Sequence, residues 1–235
     1  MKNVNPLPTR RQFLTKGAAL AAAFSTAGLC FARGSEEEEE ISPAEDLMRE
    51  HGVLKRILLI YGEGSRRLRA GEELPVDVIA SAAAIIRAFV EDYHEKLEEN
   101  FLFPRFEKKG MLVELVKVLR EQHQAGRRVT ERTLSLAVPG TLKEASDRQE
   151  LSATLESFVR MYNPHEARED TVLFPALRKI ISPHEYAALG EDFEKEEERR
   201  FGKDGFEKVV EQVAGLEKRL GIYDLAQFTP RQEVR

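Results

Sequence analysis

The sequence predicts an all-α protein, an up-down-up-down four-helix bundle with extra helices at its C-terminal end. Three observations predict it. From Ser42 onward, apolar residues recur at helical spacing and no strand-type alternation competes. Gly71 with Pro75, Lys109-Gly110 and Pro139-Gly140 cut this stretch into four segments joined by short turns. Hydrophobic residues make up 42 % and charged residues 33 %, with Ala, Leu, Glu, Lys and Arg dominant, which suits helices with one buried and one charged face.

The first 32 residues read separately. Arg10-Arg11 precedes Phe13-Leu14, and an uncharged, Ala-rich run follows from Gly17 to Leu29. This resembles a twin-arginine export signal, too short and too weakly apolar for a membrane-spanning helix. Small residues at Cys30 and Ala32 place cleavage after Ala32 and the protein in the periplasm. Cys30 is the only cysteine, so the cleaved chain has no disulfide and no thiolate ligand. The formal charge is −5, and the leader carries Lys2, Arg10, Arg11 and Lys16 but no acid. The remaining chain is more acidic still, which argues against nucleic acid as a partner. Residues 33–42, with the run Glu36–Glu40, read as a solvated linker.

Residues 43–181 carry the four helices. Ser42-Pro43 supplies a cap and a first-turn proline, and the first helix runs from about Ala44 to Arg69. Its stripe of Leu47, Leu54, Ile57, Leu58 and Tyr61 includes His51. The second runs from Val76 to Phe101 or beyond, with Ile79, Ala83, Ile86, Val90, His94 and Leu97 inward. The third, from Met111 to about Ala137, turns Leu115, Leu119, His123 and Leu134 inward. The fourth starts near Asp147 and passes Leu151, Leu155, Phe158, Tyr162, His165 and Glu169. Pro164 removes a backbone donor, so a bend is expected there. Residues 182–235 add two helical stretches, expected to pack on the bundle or cover one end.

One pattern of histidines and glutamates is used twice. His51 is followed 43 residues later by His94, with Glu98 four further on; His123 is followed 42 residues later by His165, with Glu169 four further on. The block His94-Glu95 to Leu102-Phe103-Pro104 aligns without a gap on His165-Glu166 to Leu173-Phe174-Pro175. Residues four apart share a helix face, so each His-Glu pair projects inward side by side. Four imidazoles and two carboxylates are an inventory for two metal ions, and mixed N/O ligation suits iron or manganese over magnesium or calcium. Glu95 and Glu166 lie about 100° around the helix from those histidines, which favours roles outside direct ligation. Tyr61, Tyr93 and Tyr162 lie near the donors in sequence, either packing or reaching a bound oxygen species. His184 falls outside the pattern.

These residues resemble the hemerythrin-like, or HHE cation-binding, family over about Pro43 to Ile180. The resemblance implies a four-helix bundle around two non-haem irons with a bridging oxo or hydroxo ligand. It makes His51, His94, His123 and His165 iron ligands, and Glu98 and Glu169 the bridging carboxylates. The family's oxygen carriers have two histidines four apart on the third helix. Here Leu119 stands four before His123 and Arg127 four after it, leaving one iron more open. Carriers also place the second acid five after its histidine, so Asp170 competes with Glu169, and Glu99 fills the same offset in the first block.

The implied function is binding of O₂ or another small diatomic such as nitric oxide, for storage, delivery or sensing. A redox enzyme that reduces O₂ or decomposes peroxide is the alternative, with iron handling a third.

Overall fold

The computed structural model describes residues 41–230, and every regular element among them is helical. The leader and most of the acidic linker lie outside the described residues.

Helix α1 is Pro43–Ala70. The Ser42 hydroxyl accepts a hydrogen bond from the Glu45 N–H at 3.3 Å, and Pro43 occupies the first turn, where no amide donor is required. Gly71 ends the helix with φ 68°, a left-handed conformation that costs glycine nothing. Gly110 ends the second helical run in the same way, with φ 65°.

That second run is unbroken from Val76 to Lys109 but changes winding along its length. It comprises α2 (Val76–Ile85), a π-helical stretch Ile86–His94, α3 (Glu95–Leu97), a second π stretch Glu98–Leu102 and α4 (Phe103–Lys109). Helix α5 is Val113–Leu136 and α6 is Ala145–Arg168; α6 continues through a π stretch, Glu169–Leu173, into α7, Phe174–Leu177. The expected bend at Pro164 does not interrupt α6, which stays α-helical across it.

Two of the π stretches fall one turn before the two repeated prolines. The Phe103 N–H reaches the Glu98 carbonyl and the Phe174 N–H reaches the Glu169 carbonyl, five residues back in each case. Proline crowds the carbonyl four residues before it and offers it no donor. A wider π turn ahead of Pro104 and of Pro175 moves that carbonyl aside. The repeated Leu-Phe-Pro is thus the local cause of two π turns, each starting at one of the glutamates of the repeat.

Helix α1 lies against α6, and α5 against α6, with α1 and α5 also touching the π stretch Ile86–His94. Tyr61, Phe89, Phe103, Phe158, Leu155 and Ile79 fill the shared core. Burial of a large apolar side chain contributes roughly 1.5–3 kcal/mol each, so this core dominates the stability of the helical bundle.

Helices α8 (Pro183–Phe201) and α9 (Gly205–Leu220) pack along the flank of the first two helical runs. Phe193 meets Phe101 edge-on, Phe201 and Phe206 meet Phe89, and Arg56 of α1 donates to both oxygens of Glu217. His184 is exposed at the start of α8. No helix among the described residues is long and apolar enough to cross a membrane.

Candidate metal centre

The two-fold repeat brings its six donors together in two sets. His51, His94 and Glu98 place one ligand atom each within 4.8 Å of one another, and so do His123, His165 and Glu169. All six side chains are buried. His51 stands on α1, His94 and Glu98 on the second run, His123 on α5, and His165 and Glu169 on the α6 run.

The carboxylates tie the sets together. A Glu98 oxygen lies 3.8 Å from His94 Nε2 and 3.4 Å from His123 Nε2. A Glu169 oxygen lies 3.1 Å from His165 Nε2 and 3.4 Å from His51 Nε2. Each acid therefore faces one imidazole of each set, the arrangement a bridging carboxylate needs. None of the four carboxylate oxygens, nor His123 Nε2, has a hydrogen-bond partner among the described residues. Buried carboxylate oxygens without donors are costly unless a cation or proton answers them. The donor set thus fits a pair of metal ions.

Every histidine points Nε2 inward and is held through Nδ1. His51 Nδ1 bonds to Asp170 at 2.7 Å, His94 Nδ1 to Glu50 at 2.7 Å, His123 Nδ1 to Glu99 at 3.1 Å and His165 Nδ1 to Gln122 at 2.8 Å. Such partners fix the tautomer that leaves the Nε2 lone pair free. The supports form a closed ring: each helical run supplies the acceptor for a histidine on another, and each receives one. Asp170 and Glu99, which sequence offsets offered as rival bridging acids, sit on the outer side of the imidazoles instead. Glu50 and Gln122 escaped sequence reading, although each directly precedes a histidine of the pattern. Phe174 stacks on His51 and Phe103 on His123, each at 5.5 Å between ring centroids, so the Leu-Phe-Pro repeat also walls the site.

The remaining acids have partners of their own, although Glu95 and Glu99 each place an oxygen within 4.8 Å of a His123 ring nitrogen. Glu166 pairs with Lys55. Glu95 accepts from the Tyr162 hydroxyl at 2.6 Å and from Arg127 at 2.6 Å. Arg127, four residues after His123, also donates to Glu99 at 2.8 Å. Burial pushes the Glu95 carboxyl up to about 8, against the pull of Arg127.

Burial opposes charge on His51, yet its bond to Asp170 and the nearby carboxylate of Glu169 outweigh that and raise it to about 9. Burial and the neighbouring His51 charge hold His94 well below the usual imidazole range. His51 Nε2 lies 3.0 Å from His94 Nε2, within hydrogen-bond distance across the first set. Burial, then the charge of Glu169, raises Glu98 well above the carboxylate range. In Glu169 burial is outweighed by His165 and His51, and its carboxyl is lowered.

A pH dependence follows. His51 is raised on folding, so in the metal-free protein its contribution of roughly 3 kcal/mol is complete below pH 6.5 and is lost as pH rises through about 9. Metal must displace that proton, so apparent affinity runs the other way. Between pH 6.5 and about 9 it should rise by at least about tenfold per pH unit, then flatten. Chelator-competition titrations across that range measure the slope; a flat profile would exclude His51 as a ligand.

Comparison with known proteins agrees with this geometry. Residues 42–141 match the model of the Hemerythrin HHE cation binding domain, a span that contains His51, His94, Glu98 and His123. The chain is 46 % identical to Uncharacterized protein Rv1995 of Mycobacterium tuberculosis over 243 aligned positions, covering 98 % of this chain and 94 % of the relative. Uncharacterized protein Mb2018 of Mycobacterium bovis matches to the same extent, at 46 % identity. No solved structure matches the chain.

Proposed function

Because the chain belongs to one family with these mycobacterial proteins and carries the HHE cation-binding match, we propose that it is a hemerythrin-like di-iron protein. In this reading the bundle is up-down-up-down, and His51, His94, His123, His165, Glu98 and Glu169 hold two non-haem irons with an oxo or hydroxo bridge. The ligand is O₂ or another small diatomic, held for storage, delivery or sensing.

One observation carries the reading: four inward Nε2 atoms and two donor-less carboxylates converge in a buried space while every Nδ1 is engaged elsewhere. Iron at such a position supplies reversible redox change and an open coordination place. The chain's own residues do the rest. The carboxylates hold the pair together, the four outer acceptors fix the imidazole planes, and Phe103 and Phe174 exclude water.

A second reading, redox turnover of peroxide, draws support from Tyr162. It is an oxidisable phenol buried against the His165 ring, with centroids 5.3 Å apart and its hydroxyl proton directed at Glu95.

Anaerobic iron loading, metal counting and a visible spectrum before and after O₂ test both. Two irons per chain with a band that reverses under vacuum are expected for the binder. Immediate irreversible oxidation would transfer the weight to the redox reading. A folded chain that takes up no iron would overturn both.

A further inference from the structure

The two sets of donors are matched in their inward atoms and unmatched in what stands behind them. Behind the first set are two carboxylates at short range: Asp170 on His51 and Glu50 on His94, both at 2.7 Å. Behind the second set the support is weaker in charge. His165 rests on the neutral amide oxygen of Gln122 at 2.8 Å. His123 rests on Glu99 at 3.1 Å, and the same Glu99 oxygen accepts from Arg127 at 2.8 Å. The other Glu99 oxygen takes the Lys96 ammonium at 2.5 Å. Its charge is thus divided among an imidazole, a guanidinium and an ammonium.

An anionic acceptor on Nδ1–H draws that proton outward and enriches the Nε2 lone pair, so the imidazole becomes a stronger donor. A neutral amide does this less, and the two cations on Glu99 draw its charge away from the imidazole. Arg127 adds a positive charge on the second side as well, which opposes entry of a further cation. All of these differences weaken the same set.

From this we infer that the two metal positions are unequal: the His51–His94 position fills first and holds its ion more tightly, and Gln122 and Arg127 are positioning residues that weaken the His123–His165 position. The inference rests on the metal reading above and adds an order of loading to it. The chain would then exist in a stable one-ion form, with the second ion exchangeable.

The test is an anaerobic titration of the metal-free full chain with cobalt(II), whose visible absorption reports each ion's surroundings. Two steps separated by about tenfold or more are expected, the usual size of an outer-partner effect on affinity. His165→Ala should remove the later step and spare the earlier one; His94→Ala should remove the earlier. Gln122→Glu should tighten the later step and narrow the gap, and Arg127→Gln should do the same by freeing Glu99. Glu50→Gln should weaken the earlier step. Helical circular dichroism of each variant confirms that it is folded, and two independent substitutions on the second side guard against one that is not. Two ions bound in a single step, or a gap unmoved by both Gln122→Glu and Arg127→Gln, would overturn the inference and leave the metal reading standing. No cobalt bound at all would overturn the metal reading itself.

Discussion

Glu98→Met should make the metal-free protein more stable and at the same time abolish its ability to hold a metal pair. Glu98 is fully buried, and neither of its oxygens has a donor. Burial and the nearby charge of Glu169 push its carboxyl well above the usual carboxylate range. A buried polar group without partners costs about 1–3 kcal/mol, and a methionine of similar length fills the same space without that cost. The metal-free variant should therefore melt higher, by roughly 2–4 °C for each kcal/mol in a chain of this size. The metal-bound state reverses the order. Glu98 faces both sets of imidazoles, at 3.8 Å from His94 and 3.4 Å from His123, so its loss removes a donor shared between two ions. Loss of an outer hydrogen-bond partner already lowers metal affinity about 10–100-fold, and loss of a bridging donor should exceed that. Calorimetry of metal-free and iron-loaded samples separates the two effects. Native chain and variant should cross over, the variant higher without metal and the native chain higher with it. A variant that melts lower in the metal-free state, or that still binds two ions, would rule out a bridging role for Glu98.

The inward half of this site was legible in the sequence and the outward half was not, for a physical reason. His94 with Glu98 and His165 with Glu169 are related along one helix, where spacing of four fixes the geometry whatever surrounds it. The acceptors on Nδ1 are related between helices. Glu50 serves His94 and Gln122 serves His165, so their roles depend on which helix packs beside which and at what height. Offsets alone left Asp170 and Glu99 as rivals to Glu169 and Glu98. They sit one position further round the helix than Glu169 and Glu98, and that rotation carries them to the outer face of a neighbouring imidazole. The π turns were hidden differently. Pro104 and Pro175 are in plain view, but a proline can bend a helix, end it or widen the turn before it. Pro164 stands next to His165, yet α6 accommodates it. The paired Leu-Phe-Pro was the better signal, since an identical strain in both halves has an identical remedy.

Gly126→Ala should be among the most damaging single changes in the bundle, although it adds one methyl group to a good helix position. A Cβ at residue 126 would stand 2.1 Å from the Tyr162 hydroxyl oxygen and 2.9 Å from the ring carbon that bears it. Tyr162 cannot retreat easily: its ring stacks on Phe158 at 4.4 Å and meets His165 at 5.3 Å. Moving it breaks the 2.6 Å hydrogen bond to Glu95 and leaves Arg127 to hold that buried carboxylate without the phenol. Overpacking costs about 1–3 kcal/mol, and an abandoned buried acceptor about 1–3 kcal/mol more. Helix propensity returns at most about 1 kcal/mol on replacing glycine by alanine. The net loss should be roughly 1–5 kcal/mol in a denaturant melt of the metal-free chain. Tyr162→Phe separates the two contributions, because it removes the oxygen that clashes as well as the hydrogen bond. Alone it should cost about 1–3 kcal/mol, and in its presence Gly126→Ala should cost distinctly less than in the native chain. Additive losses in this double-mutant cycle would mean that Gly126 does not make room for the tyrosine. Because Tyr162 touches His165, the iron-loaded Gly126→Ala protein should also show a shifted visible spectrum. The helix that carries His123 is therefore shaped by a residue on the next helix over, and the methyl group tests that contact at both ends.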